Sequence, residues 1–245
     1  MHIIKTQHFQ IAVNALGNVD APKIAILLPG RLDTKDYANF VSHLKFLAGK
    51  GFYTIAIDPP GTWESPGDIK DYCTSTYVQA VHELIEHFDS RPTLLLGHSR
   101  GGATAMLASS NPVVSSVVVV NAAYGKPSMN GEKVENGVVR ESRDTPPGDT
   151  RTKAQKLFDL PINYFEDGAK HDPKAALVKF KGPKLIVHAT RDEFVSMERI
   201  RKIYAELSEP KQFLEIDCNH DYRLYPEVIQ TVENSLGDFI DKFSL

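Results

Sequence analysis

Within the 245 residues, one stretch restricts the fold more than any other. The apolar run Thr93-Leu94-Leu95-Leu96 leads into Gly97-His98-Ser99-Arg100-Gly101, followed at once by Gly102-Ala103-Thr104-Ala105-Met106-Leu107-Ala108. A short continuous apolar run reads as a strand covered on both faces, and the small-residue run reads as a helix. Joining them requires a sharp strand-to-helix turn. In a G-x-S-x-G setting that turn holds the central serine, Ser99, in a strained conformation with its hydroxyl exposed. Gly97 and Gly101 flank it because side chains there would collide with neighbouring backbone. The helix start favours negative charge developing beside it. The plainer reading is a helix-capping serine in a glycine-rich turn.

The surrounding sequence repeats the strand–helix alternation. Ile24 to Leu28, Tyr53 to Ile57, Val117 to Val120 and Leu185 to His188 are further continuous apolar runs. Between them, Tyr37 to Lys50 and Tyr77 to Phe88 carry one-sided apolar stripes at helical spacing. Such alternation predicts βαβ units, an α/β fold and a mainly parallel sheet. Ile3 to Val13 predicts a peripheral strand or hairpin. Ser196 to Leu207 predicts a helix, Lys211 to Ile216 a last strand, and Tyr225-Pro226 the start of a helix running towards Phe243.

The rhythm breaks across residues 122–182, which carry Asn130-Gly131, Asn136-Gly137 and Pro146-Pro147-Gly148. Lys133 to Val139 resembles a hairpin with an Asn-Gly turn. Thr152 to Leu160 and Pro173 to Phe180 predict short helices, the second with Asp172 as N-cap and Pro173 at its first position. This stretch reads as a small cap inserted over one end of the sheet within a single domain spanning 1–245. A disordered linker is the alternative, opposed by Phe158, Tyr164 and Phe165.

A serine hydroxyl needs a base at neutral pH. His220, between the last strand and the last helix, sits on a loop and is the candidate; His171 in the insertion is its rival. His98 adjoins the serine but points away along the turn. A third group must orient the imidazole and stabilise its protonated form. Asp192, on the loop after the penultimate strand, fits that role, with Glu193 as rival, whereas Asp221 suits a surface ion pair.

Composition excludes other classes. Lys and Arg number 28 against 31 Asp and Glu, a formal net charge of −3, and no basic run supplies a phosphate-binding surface, so a general nucleic-acid binder is not expected. No apolar run approaches the ~18 residues of a membrane span. The N-terminal residues lack the apolar core of a signal peptide, so the expected location is cytoplasmic. Cys73 and Cys218 are far apart and lack C-x-x-C spacing, so neither a zinc site nor a redox motif is indicated. Cys218 reads as packing rather than as a nucleophile beside His220.

The order Ser99, Asp192, His220 is the nucleophile–acid–base order of α/β-hydrolases, and the sequence resembles that superfamily over nearly its whole length, in particular its serine esterase and serine-aminopeptidase-like branch. Four separated segments carry the likeness. Leu27-Leu28-Pro29-Gly30-Arg31 resembles the His-Gly-x segment after the third strand, and Asp58 to Ser65 resembles the D-x-x-G-x-G-x-S loop. Gly97 to Gly101 is the nucleophile elbow, and the Asp192 and His220 segments complete the triad. There are two departures. Pro29 replaces the usual histidine, and Trp63 replaces the loop's second glycine. The resemblance implies an oxyanion hole built from the backbone N–H groups of Arg31 and Arg100, donors worth ~3 kcal/mol each in such sites. Because Pro29 is not the donating position, its presence alters loop stiffness instead. The Arg31 side chain either binds an acidic substrate or faces solvent.

These expectations define a serine esterase acting through an acyl-enzyme on a small or moderately sized acyl substrate, with no metal and no cofactor. Thioesterase, amidase, aminopeptidase, lactonase and acyltransferase chemistry use the same machinery. A non-catalytic binding protein of the same fold is the reading of another class. Trp63, Tyr124, Tyr164 and Phe165 are candidates for an apolar substrate wall, with core packing the alternative for each. The chain is expected to be a monomer or a homodimer.

Overall fold

A computed structural model of the protein describes residues 2–127, 129 and 133–245. The Asn130-Gly131 turn signal lies outside them. The continuous apolar runs form the middle of an eight-stranded sheet. Its strands are β1 (His2–Lys5), β2 (Gln10–Leu16), β3 (Ile24–Leu28), β4 (Tyr53–Ile57), β5 (Thr93–His98), β6 (Val114–Val120), β10 (Lys184–Ala189) and β11 (Lys211–Ile216), in the order β1-β2-β4-β3-β5-β6-β10-β11. β1 and β2 pair antiparallel, as do β2 and β4; every other pairing is parallel. Burial explains the run type. All residues of β3, β5 and β10 are buried, because helices cover both faces.

One face packs under α2 (Thr74–His87), α3 (Ser99–Ala108) and α6 (Met197–Glu206), and the other under α1 (Ala38–Gly49) and α7 (Pro226–Phe243). The two apolar layers meet the sheet through alternate residues. Ile24, Ile26 and Leu28 face one layer, and Ala25 and Leu27 face the other.

The insertion builds a second, three-stranded antiparallel sheet of β7 (Val134–Glu135), β8 (Val138–Asp144) and β9 (Gln155–Pro161), then α4 (Asn163–Gly168) and α5 (Pro173–Lys179). The Asn136-Gly137 hairpin forms with both residues at positive φ, 51° and 78°, as a primed turn requires. Asp172 caps α5 by accepting the Ala175 N–H at 2.9 Å. The helix expected over Thr152 to Leu160 is instead strand β9. Its side chains alternate, Phe158 and Leu160 inward and Leu157 65 % exposed, which is a period of two. Pairing with β8 fixes the register, with Arg140 opposite Asp159 and joined to it by a two-point ion pair at 2.7 and 3.1 Å. Among the described residues, no helix is long and apolar enough to cross a membrane.

Candidate active site

The parallel strands end on one side of the sheet, and three of the connections leaving them converge. Ser99 follows β5 as the first residue of α3, with φ at +52°. That left-handed conformation is costly for a residue other than glycine and persists only where packing enforces it. The packing is severe. A Cβ on Gly97 would stand 2.3 Å from the Gly101 carbonyl oxygen, and one on Gly101 would stand 1.9 Å from that of Leu28. The flanking glycines are therefore demanded by backbone approach.

Asp192 lies three residues beyond β10. Its Oδ1 accepts the N–H groups of Phe194 and Val195, each at 2.8 Å, which folds the loop around the carboxylate. Its Oδ2 lies 2.7 Å from His220 Nδ1, and His220 Nε2 lies 2.9 Å from Ser99 Oγ. Burial alone would raise the Asp192 pKa. The hydrogen bond and charge of His220, with the two backbone N–H groups, outweigh it and hold the carboxyl below its ordinary value.

His220 is also held by its backbone. Its N–H donates to Glu193 Oε2 at 3.0 Å, and its carbonyl accepts from Asn121 Nδ2 at 2.9 Å and from His98 Nε2 at 3.1 Å. Glu193, the rival acid, thus supports the backbone of His220, while Asp192 meets the ring. Asn121 completes the brace by accepting the Ala189 N–H at 2.8 Å. His98 does turn away from Ser99, but it turns beneath His220, with Nδ1 3.3 Å from Asp33 Oδ2. The rival His171 sits elsewhere, beside Ser75 and Asp167. Cys218 is fully buried, and burial pushes its thiol up to about 12, so it holds no thiolate at neutral pH.

The loop after β3 reaches the serine from the opposite side. A Cβ on Gly30 would stand 3.1 Å from Ser99 Cβ, so Arg31 follows directly on the point of closest approach. Tyr77 donates to the Pro29 carbonyl at 3.2 Å, and Arg143 Nε to that of Arg31 at 2.9 Å, which stiffens the turn. The Arg31 guanidinium lines the cavity and pairs with Glu141 at 3.2 Å. Asp58, in the following loop, accepts from the Thr34 hydroxyl and from the Lys35 N–H at 2.8 and 3.0 Å. The carboxylates of Asp36, Asp58 and Glu64 cluster closely enough for a cation, and the Lys35 ammonium occupies their centre, 2.6 Å from Asp36 and 3.2 Å from Asp58.

Ser99 and His220 line a cavity of about 880 Å³, within the range of small-molecule sites. Of the four aromatic wall candidates, only Tyr124 lines it. Trp63 is pinned away from it, its indole N–H donating to the Leu32 carbonyl at 2.8 Å and its ring set edge-on to Tyr37 and Phe158. Tyr164 stacks on Tyr72, and Phe165 packs edge-on to Tyr164. Tyr164 and Phe165 are core aromatics, and Trp63 packs half-buried against that core. The sequence offered no sign of Phe194, which lines the cavity, is 72 % exposed and stands edge-on to His220 at 4.7 Å between ring centres.

A family model described as the alpha/beta hydrolase fold matches residues 25–145. Among characterised proteins, the palmitoyl-protein thioesterase ABHD10, mitochondrial, of Mus musculus is 21 % identical over 224 residues, spanning 89 % of this chain and 75 % of its own length. Among solved structures, Est1E from Butyrivibrio proteoclasticus with ferulic acid bound superposes at a TM-score of 0.76, with 17 % identity over 99 % of each chain. Alpha/beta hydrolase domain-containing protein 10 from mouse superposes at 0.74, with 17 % identity over 98 % of each. At these identities the structural likeness is one of fold.

Proposed function

Because the chain belongs to the α/β-hydrolase superfamily, we propose that it is a serine hydrolase cleaving a carboxylic ester through an acyl-enzyme. One observation carries the reading: the unbroken line from Asp192 Oδ2 through His220 to Ser99 Oγ, at 2.7 and 2.9 Å, opening on a cavity. Ser99 Oγ attacks the carbonyl carbon while His220 Nε2 takes its proton. Asp192 stabilises the imidazolium and fixes its tautomer. The tetrahedral oxyanion is held by the N–H groups of Arg31 and Arg100, which flank the serine in sequence and across the Gly30 approach. His220 then protonates the leaving oxygen and the C–O bond breaks. Water, deprotonated by His220, attacks the acyl-enzyme and releases the acid and the free serine. Residues 1–245 act as one hydrolase domain in this reading, with 122–182 as the cap that shapes the acyl site.

Thioester cleavage by the same steps is the second reading, supported by the likeness to a relative named as a palmitoyl-protein thioesterase. Labelling with a fluorophosphonate probe, followed by peptide mapping, tests both. Modification at Ser99, together with loss of p-nitrophenyl acetate turnover in a stably folded Ser99→Ala protein, is the expected result. Folded protein that takes no label at Ser99 would point instead to a binding protein of this fold. Matched oxygen and thiol esters of one acyl chain then rank the two reactions by kcat/KM.

A further inference from the structure

The charge of the cavity is opposite to that of the chain. The protein carries a formal net charge of −3, yet the described residues lining the cavity include seven Arg and Lys against four Asp and Glu. Several of these cations have carboxylate partners. Arg143 meets Glu141 at 2.8 Å and Asp33 at 3.6 Å, Arg223 meets Asp144 at 2.9 Å, and Arg151 meets Asp221 at 3.7 Å. Arg100, Lys126 and Arg199 differ: none has a carboxylate within ion-pair distance among the described residues.

These three gather at one place. Arg100 Nη1 donates to the Gly125 carbonyl at 2.9 Å. Arg199 Nη2 approaches the same residue, 3.4 Å from where a Gly125 Cβ would stand. Lys126 is the next residue along. The spot is also close to the serine, since the Ala123 N–H donates to the Ser99 carbonyl at 3.0 Å and two residues of chain span at most ~7 Å. Arg100 is half-buried, and burial together with the neighbouring Arg31 charge disfavours its protonated form. A desolvated guanidinium held by one carbonyl keeps most of its planar fork for a partner, and that fork matches a carboxylate or phosphate.

We propose that Arg100 and Arg199, with Lys126 at the rim, form an anion subsite about one short chain away from Ser99. The substrate of the hydrolase proposed above is then an acidic ester or thioester, bearing a carboxylate or phosphate near its scissile carbonyl. Phe194 and Val195, which also line the cavity, supply the apolar part of the path. The proposal rests on the hydrolase reading for its chemistry but not for its binding.

The two are tested separately. Calorimetric titration of the Ser99→Ala protein with glutarate, inorganic phosphate and neutral dimethyl glutarate reads the subsite without turnover. At least one anion is expected to bind about tenfold more tightly than the diester, and to lose about that factor in Arg100→Gln and in Arg199→Gln. Whichever anion binds more tightly identifies the group. With Ser99 intact, proton release compares monomethyl glutarate with methyl valerate for a charge on the acyl side. It compares 3-acetoxypropanoate with propyl acetate for a charge on the leaving side. One acidic member is expected to exceed its neutral partner about tenfold in kcat/KM, and the ratio is expected to fall towards one in both variants, whatever their absolute rates. Equal binding of anions and diester overturns the subsite. Equal kcat/KM within both pairs overturns acid selection while leaving the hydrolase intact. Anion binding without turnover of any ester, and without Ser99 labelling, overturns the hydrolase and keeps the subsite.

Discussion

The two sides of the cavity are built by different means. On the core side, Ser99, Asp192 and His220 stand at the carboxyl ends of β5, β10 and β11, each tied to loop backbone: the Ala123 N–H donates to the Ser99 carbonyl, the Phe194 and Val195 N–H groups to Asp192, and Asn121 to the His220 carbonyl. On the insertion side, β8 is held by side-chain charge. Arg143 joins Asp33 and Glu141, and Asp144 binds Arg223, whose guanidinium lies 4.4 Å over the Tyr37 ring. Bonds to loop backbone leave most outward side chains free to vary, whereas an ion-paired wall changes with each residue that carries a charge.

The sharpest way to break that division is on the core side. Asp192→Asn keeps the volume of the carboxylate but reverses the hydrogen-bond role of one atom. The imidazole then loses its enforced tautomer, and kcat is expected to fall about 10⁴-fold. Steady-state kinetics with p-nitrophenyl acetate measures this. A loss below about tenfold would transfer the acid role to Glu193, which accepts the His220 backbone N–H in this structure.

On the insertion side the largest effect falls on stability. Arg223→Met leaves the buried Asp144 carboxylate without its cation and frees the Gly148 carbonyl, which Arg223 Nη1 also binds. Breaking a buried pair by removing one member costs about 3 to 5 kcal/mol. Urea denaturation is expected to show a loss of that order, with the rate of fluorophosphonate labelling of the folded protein little changed. A parallel loss of labelling would mean that the wall and the reacting groups are not separable.

The contrast also explains what could be read from the sequence. The core strands announce themselves because burial on both faces demands continuous apolar runs, and β3 and β4 begin and end where those runs do. The serine elbow is equally legible, since its glycines answer a local steric demand. The insertion is less so. β9 mixes an exposed Leu157 with inward Phe158 and Leu160, so composition hides its alternation and only pairing with β8 reveals it. Trp63, Tyr164 and Phe165 follow the same rule: an aromatic's partner is a tertiary fact, and theirs lie in the core. Asp33 and Asn121 carry no motif at all. They reach His98 and His220 across 65 and 99 residues of sequence.

His98 is where the two sides meet. Nε2 holds the His220 carbonyl, and Nδ1 faces Asp33, which pairs in turn with Arg143 of the insertion. His98→Ala is expected to lower kcat about 10²-fold, the scale of an ångström-level displacement of a reacting group, with KM nearly unchanged. Rescue by His98→Asn, whose amide sits where Nδ1 does, would assign the effect to the Asp33 contact, and rescue by His98→Gln, whose amide reaches where Nε2 does, would assign it to the His220 carbonyl.

The smallest effect lies away from both sides and gauges them. Glu83 on α2 ties down the turn between β1 and β2, accepting from the Thr6 hydroxyl at 2.7 Å and the His8 N–H at 2.9 Å, with His8 Nδ1 2.6 Å away. Burial would raise its pKa, but these bonds and Gln79 outweigh it and bring the carboxyl to about 2 from its usual 4.5. Its contribution to stability is therefore fully present above about pH 4.5 and is lost as the pH falls through about 2. The shift corresponds to about 3 kcal/mol. Glu83→Gln should cost about 2 kcal/mol at pH 7, since the amide keeps part of the network, and close to nothing at pH 2. Denaturation midpoints of the two proteins across that window should converge. If the difference stays constant with pH, the turn is held by neutral hydrogen bonds and packing, and this edge of the sheet resembles the backbone-held core loops more than the ion-paired wall.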